Sequence, residues 1–418
     1  MLLCCVGCEE KEVEPLRVCV DLECVGTSLY SGTSDLESLV HALKSSIMNI
    51  GGPKDIEFEI LPEAGVERDT AIKRIRTEIM SGEGPDVFIM AGCKKAIDSE
   101  FNSPVEEPLI ALPAKAMESG YFLVLDEYME KSTQFAEWDK MTRIVLEAGK
   151  NEEGQQIIPL CYRIPATVYS VKEVEHTPSK EITWMDMLES EDEALAAAAV
   201  WTDMDVFAAT WNTVKDDLLF TDLGVPMTEF VLGELADYKQ EKLLFTEEEL
   251  RLRIKEICVL ADNYLAGQYD SAPTHYCGFP GHNFNMNKKG ADEEGQQYPE
   301  LNGLKIEEGL RMIPLYSDDG GVTAEISAYA AINRNTKRAD DAFFVLDYLL
   351  SRKAQQSEKI YHYLYCLLAC GNILEFGGIP MYEDLMTDEY TVYWPAPNQE
   401  TVRTAGNSLM KTLSSFVS

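Results

Sequence analysis

Residues 66–90 read VERDTAIKRIRTEIMSGEGPDVFIM. Ile72, Ile75 and Ile79 recur at helical spacing, with Lys73, Arg74 and Arg76 on other faces, which predicts an amphipathic helix of about four turns. Gly82 and Gly84 break that helix and Pro85 prevents re-entry. Val87, Phe88, Ile89 and Met90 then make a run suited to a buried strand. A helix delivered through a tight Gly-Pro turn into a buried strand is half of a βαβ unit. The far end of that strand, at Ala91 and Gly92, is where open α/β sheets place ligand loops.

The residues before it complete the unit. Leu16 to Val25 is a β-rich run, and Ser34 with Glu37 makes a capping box for a helix carrying Leu36, Leu39, Val40, Leu43 and Ile47. Gly51, Gly52 and Pro53 end that helix, and Ile56 to Leu61 alternates as a strand does. The order β-α-β-α-β implies parallel pairing with right-handed crossovers.

Further along, YFLVLDEYM (Tyr121 to Met129) is placed to close a first lobe, and QQIIPLCYRIP (Gln155 to Pro165) reads as a strand pair or a hinge strand continued by Val168 to Val171. Thr202 and Asp205 suit the cap of a helix through Phe207, Trp211 and Leu218. Met227 to Tyr238 reads as a second amphipathic helix. Thr246 to Leu265 reads as a third, opening with Glu247, Glu248 and Glu249 against its positive end. Residues 270–303, rich in Gly, Pro, Asn and Asp, predict a long loop or hairpin region. Ala328 to Asn333 reads as a short buried strand and Asp340 to Leu350 as a strongly amphipathic helix whose pattern continues through Cys370.

The chain has 418 residues, room for roughly two to three domains and a real core. At 45% hydrophobic and 26% charged it has an ordinary globular composition, and its formal net charge is −36. Such a surface repels nucleic acid and anionic lipid headgroups, so neither is an expected partner. Eleven cysteines form no zinc-ribbon or CxxC spacing, and the odd number closes no disulfide framework; free thiols are expected. The start, MLLCCVGCEEKEVEP, carries a short apolar run, then Val6-Gly7-Cys8 and an acidic stretch, similar to the end of a bacterial lipoprotein signal with Cys8 as the lipidated residue. It lacks a basic n-region and has Cys5 where Leu is usual, so an apolar start without that role is the other reading. Residues 9–15 are expected to be a tether.

Several segments together resemble the family 1 extracellular solute-binding proteins of bacterial ABC importers. They are Gly84-Pro85-Asp86-Val87; Tyr329-Ala330-Ala331-Ile332-Asn333 with Lys337; Ala342, Phe343, Leu349, Leu350, Ser351 and Gln355; and Gly378-Ile379-Pro380, in the family's order. The resemblance implies a periplasmic-binding-protein-like (type II) α/β fold: two lobes, each a mostly parallel sheet flanked by helices, joined by a hinge with the ligand between them. The division it suggests is 1–15 as signal remnant and tether, 16–127 with 312–340 as lobe 1, and 128–311 with 341–418 as lobe 2. The family's usual long helix pair near the C-terminus is not evident in TAGNSLMKTLSSFVS, so a short, altered or missing last helix of lobe 2 is expected. It implies no cofactor, no catalysis, a sugar or oligosaccharide ligand, ABC permease partners, a monomer, and a place on the outer face of the cell membrane held by a lipid anchor only.

Sugars are bound by an aromatic face and by planar polar groups that pair with hydroxyls. Candidates at predicted strand ends and cleft loops are Tyr30; Tyr162 and Arg163 beside the hinge-like segment; Trp201 and Trp211; Tyr276, Phe279, His282 and Asn283 in THYCGFPGHNFN; Asp318 with Asp319 in YSDDGG; and Trp394. Each also has a plain structural reading: packing for the aromatic residues, hinge or core packing for Tyr162 and Arg163, turn chemistry for the two aspartates. Cys93, Lys94 and Lys95 follow the GPDVFIM strand and read as ligand contacts or as solvated loop residues. His275, Cys277 and His282 fall within eight residues but match no standard zinc spacing, so no metal is expected. There is no GxSxG, HExxH, Walker A or GxGxxG. A receptor for a polyamine or peptide in the same fold, or a secreted carbohydrate-active enzyme, are the competing functions.

Overall fold

The computed structural model describes residues 14–21, 41, 43–62, 64–91, 108–132, 134–163, 166–170, 176, 178–179, 181–192, 195, 232–237, 242–253, 288–291, 297–301, 304–305, 310–314, 316–352, 355, 379–382 and 402–404. Strand β1 (Leu16–Asp21) is followed by helix α1 (residues 43–49), β2 (Ile56–Ile60), α2 (Gly65–Met80) and β3 (Val87–Ala91). β1 pairs in parallel with both β2 and β3, so the order read from sequence is the observed one. Helices α3 (Pro113–Glu118), α4 (Asp126–Lys131) and α5 (Arg143–Glu147) lead to a small hairpin of β4 (Lys150–Asn151) and β5 (Gly154–Gln155), then to β6 (Ile157–Arg163) and β7 (Ala166–Ser170).

Next come α6 (Trp184–Leu188), a hairpin of β8 (Ala236–Asp237) and β9 (Lys242–Leu243), and α7 (residues 247–253). Strands β10 (Lys288–Ala291), β11 (Gln297–Leu301) and β12 (Leu304–Lys305) form an antiparallel sheet where the sequence predicts a loop or hairpin region. β13 (Leu310–Pro314) pairs with β7, and β14 (Val322–Ile332), α8 (Ala339–Leu349), β15 (Ile379–Pro380) and β16 (Val402–Thr404) complete the described elements. The main sheet has the order β15-β6-β14-β3-β1-β2, with β16 beside the start of β14. The chain is thus a mixed α/β protein.

Local chemistry explains these elements. Val87 to Met90 are all buried, as a strand covered on both faces requires. α2 turns Ile72 and Ile75 into the core, and Gly82 and Gly84 take φ of +83° and +103°, conformations that cost other residues strain and end the helix. α8 buries Ala342, Phe343, Val345, Leu346 and Leu349, each large apolar chain contributing about 1.5–3 kcal/mol when fully removed from water. Gly52, at the end of α1, lies so close to Phe344 that a Cβ there would stand 2.5 Å from its ring.

The motif residues at Asp86 and Asn333 interlock. The Asp86 carboxylate accepts from the backbone N–H of Arg17 at 2.9 Å and from the Thr336 hydroxyl. The Asn333 amide donates to the carbonyls of Glu83 and Pro85 at 2.9 and 3.0 Å, and its own N–H donates to the Asp86 carbonyl. Gln355 plays a similar part at the other side of the sheet: it donates to the Leu160 carbonyl and accepts from Met381 N–H, joining β6 to the turn after β15. These residues lie in segments that carry the family resemblance, and each spends its hydrogen bonds on the fold.

Two expectations change. Within Met227 to Tyr238, Ala236–Asp237 is a strand rather than a helix: Gly233 takes φ +93°, which ends helical backbone, and the strand pairs with Lys242–Leu243. The short strand at 328–333 is the second half of an eleven-residue one, because residues 322–327 are held by β6 and β16. Met141, Val145, Ile157, Leu160, Leu346 and Tyr382 belong to one buried cluster with Leu16 and Phe88, since β6 is a strand of the main sheet and α8 packs against β14. The Ser34–Glu37 capping box, the helix from Thr202 and residues 9–13 of the tether lie outside the described residues.

Candidate ligand cleft at the carboxyl edge of the main sheet

β1, β2 and β3 run parallel, and β14 runs antiparallel to both β3 and β6, so β6 points the same way as β1 to β3. Their carboxyl ends, Asp21, Ile60, Ala91 and Arg163, therefore share one edge. Strand carboxyl ends in open α/β sheets are where ligands bind. The chain leaves the sheet across that same edge. After Arg163 it continues as β7, which pairs with β13 from Ala166 opposite Pro314 to Ser170 opposite Leu310, and β13 returns through residues 316–321 into β14. The pairing of β14 with β6 shifts register on either side of Ala328, the kind of irregularity that bends a strand.

The turn that feeds β14 is seated on the smaller elements. Tyr316 exchanges backbone hydrogen bonds with Ile182 and Trp184 at 3.0 Å each, next to the start of α6, which Thr183 and Asp186 cap reciprocally. The Asp319 carboxylate accepts from the Ser317 hydroxyl at 2.7 Å, from Gly321 N–H at 3.1 Å and from Glu234 N–H at 3.3 Å. Asp318 forms an ion pair with Arg253 of α7. α7 itself opens on a capping box in which Thr246 and Glu249 bond each other, and this holds the Glu249 carboxyl below the usual range.

At the β1 end the edge is organised by charge. Arg68, in the second turn of α2, donates to both oxygens of Asp21 at 2.8 and 3.1 Å and to the Pro62 carbonyl at 3.0 Å. Leu109 N–H donates to Asp21 at 2.7 Å, and Arg76 donates to the carbonyls of Leu109 and Pro108 at 2.9 Å. One buried carboxylate and two guanidinium groups thereby tie down the chain just after β2 and the chain that returns after β3.

Of the candidate site residues, Tyr162, Arg163, Asp318 and Asp319 are described, and all four lie on the crossing strands or the turn that feeds them. Tyr162 is buried, opposite Ile326 and Ile379, with its hydroxyl 3.4 Å from that of Thr142. Arg163 is the last residue of β6, opposite Glu325. Tyr30, Trp201, Trp211, Tyr276, Phe279, His282, Asn283, Trp394, Cys8, Cys93, Lys94, Lys95, His275 and Cys277 lie outside the described residues. Asp21, Arg68 and Arg76 are the residues that sequence reasoning missed. Arg68 alone carried a signal, a charged residue on the same side of α2 as Ile72 and Ile75. Among the described residues no group of three or more His, Cys, Asp or Glu could hold a metal ion, and no helix is long and apolar enough to cross a membrane.

No family model matches the sequence, and no curated protein does. Solved structures similar to it include a periplasmic oligogalacturonide-binding protein from Yersinia enterocolitica, 13% identical, covering 89% of this chain and 80% of that one at a TM-score of 0.46. An extracellular solute-binding protein of family 1 from Alicyclobacillus acidocaldarius is 15% identical over 95% of this chain and 86% of that one, TM-score 0.46. A cyclic alpha-maltosyl-1,6-maltose-binding protein from Arthrobacter globiformis is 11% identical over 93% and 88%, TM-score 0.45. These likenesses assign no residue of this chain; its class is defined by its own strand order.

Proposed function

We propose that the chain is an extracellular solute-binding protein of an ABC importer, which takes a sugar or oligosaccharide at the carboxyl edge of the main sheet and closes over it. The observation that carries this reading is the crossing itself. Two antiparallel segments, β6–β7 and β13–β14, pass from the main sheet into smaller sheets at the edge where the parallel strands end, with a register irregularity at the crossing. A few strands bent at one place can act as a hinge, and a cleft beside them buries a ligand when it closes. The motif resemblance over Gly84 to Val87, Tyr329 to Asn333 and Gly378 to Pro380 supports the same reading.

On this reading Tyr30, Trp201, Trp211, Tyr276, Phe279, His282, Asn283 and Trp394 are the source of the stacking faces and planar polar groups, while Arg163 and Asp318 stand at the hinge. The ligand is passed to permease subunits, the protein acts as a monomer without turnover, and Cys8 carries the lipid that holds it outside the cell. The first lobe then comprises the main sheet with α1 to α5 and α8, and the second comprises α6, α7 and β7 to β13.

The test is a thermal-shift screen of mono- and oligosaccharides alongside polyamines and peptides, with small-angle scattering on any hit. A ligand that binds only the folded chain stabilises it by about 2.7 kcal/mol at a hundredfold excess over its dissociation constant. A sugar that raises the melting temperature and contracts the particle supports the proposal. Stabilisation by a polyamine or peptide alone replaces the ligand class, and turnover of a glycoside would sink the receptor reading.

A further inference from the structure

Three small elements converge on residues 316–321, between β13 and β14, and each is held by a different residue of that turn. Tyr316 exchanges backbone hydrogen bonds with Ile182 and Trp184 at the start of α6. Asp318 pairs with Arg253, the last residue of α7. Asp319 reaches the turn that leads into β8, where its carboxylate accepts from Glu234 N–H at 3.3 Å. That carboxylate lies over Gly233, and a Cβ there would collide with it. The backbone at 233–234 is thus a socket that glycine leaves open.

The two oxygens of Asp319 have different duties. Oδ1 accepts from the Ser317 hydroxyl at 2.7 Å and from Gly321 N–H at 3.1 Å, which closes the turn on itself. Oδ2 accepts from Glu234 and so joins the turn to its neighbour. The turn is closed further by Ser317 N–H on the Gly321 carbonyl at 2.9 Å and by Gly320 N–H on the Ser317 carbonyl at 2.8 Å. A turn bonded this closely resists bending. The next residue, Val322, already belongs to β14, whose pairing with β6 shifts register on either side of Ala328.

We infer that residues 316–321 are a handle that moves as one body with α6, the β8–β9 hairpin and α7. Asp319 is the positioning residue that couples them, and bending falls to β14 beyond Gly321. The inference rests on the reading of the chain as lobes that close on a ligand, and it names the segment through which closure is transmitted.

The experiment is amide hydrogen exchange by mass spectrometry on the full chain without ligand, comparing the natural protein with Asp319→Asn. The asparagine keeps Oδ1 for Ser317 and Gly321 and turns its NH2 group toward Glu234 N–H. It therefore cuts the coupling and leaves the turn closed. Segments 182–188, 232–237 and 247–253 are expected to exchange about tenfold faster together, the effect of losing one hydrogen bond to a charged group, while β1 and β3 stay unchanged. Asp318→Asn weakens a different tether and is expected to quicken the same three segments. Acceleration confined to 232–237 would make Asp319 a local cap and overturn the inference, as would no acceleration or equal acceleration of β1 and β3. Because no ligand is used, this outcome is independent of the sugar screen: failure to bind any sugar would sink the receptor reading and leave the coupling measured here intact.

Discussion

Arg68 and Asp21 face each other as a two-pronged ion pair, 2.8 and 3.1 Å, with both side chains sealed from solvent. The pair links the end of β1 to the second turn of α2, and Leu109 N–H on the same carboxylate brings in the chain that returns after β3. Taking two charges out of water is costly, so the arrangement holds only because the geometry is good and further hydrogen bonds, to the Pro62 carbonyl and from Leu109 N–H, support it. Removing one partner leaves the other charge buried alone. Arg68→Met is expected to lower stability by about 3–5 kcal/mol in chemical denaturation. The double change Arg68→Met with Asp21→Leu is expected to cost much less than the two single changes added together. Strict additivity would mean that the pair is not coupled.

Asp347 is a buried carboxylate held by the Ser132 hydroxyl at 2.7 Å and by Ala136 N–H at 3.0 Å. Burial pushes its carboxyl above the usual carboxylate range, and these hydrogen bonds offset the shift only in part. The folded state therefore holds this proton more tightly than the unfolded one. Its contribution to stability is greatest below the ordinary carboxylate value and is lost as pH rises through the raised one. Asp347→Asn keeps the shape and removes the titration. Melting temperatures of the two proteins between about pH 4 and about pH 7 should move apart in favour of the variant as pH rises. A constant difference would refute the assignment.

Asn333 satisfies two carbonyls and anchors Asn335 N–H at 3.0 Å while itself 3% exposed. Asn333→Ala strands those groups and should cost about 2–4 kcal/mol, from about 1–3 for each buried group left unpaired. Asn333→Asp turns an oxygen toward carbonyls that need a donor, so it should be no better despite its shape. Urea unfolding of both variants checks this, and a loss below about 1 kcal/mol would show that the loop re-pairs elsewhere.

Cys19 sits in the middle of β1, fully buried, and burial pushes its thiol far above the ordinary value, with Asp21 adding to the shift. The thiolate is the reactive form, so this cysteine should stay unlabelled by iodoacetamide in the native protein and react once the protein is unfolded. Peptide mapping by mass spectrometry gives the answer; native labelling of Cys19 would mean that β1 opens readily.

The β1-to-β3 unit was legible because each of its signals is local. Ile72, Ile75 and Ile79 mark a helix, Gly82 and Gly84 supply the backbone that ends it, and the run Val87 to Met90 suits a strand covered on both faces. Ala236–Asp237 was misread because its apolar neighbours carry helical spacing, and neither the pairing with Lys242–Leu243 nor the left-handed Gly233 shows in that spacing. Of the candidate site, the strand within residues 155–165 could be seen in advance as an apolar run, but its partners could not.

Sequence alone determined the elements of the β1-to-β3 unit, their order and the parallel start of the main sheet, since period, glycine and proline act within a few positions along the chain. Tertiary structure decided which distant residues meet. Asp86 lies against Asn333, Asp21 closes on Arg68 and Leu109, and β6 and α8 share one core with β1 and β3. Those choices depend on hydrogen bonds and burial between segments up to some 250 positions apart, for which the local pattern of side chains carries no signal.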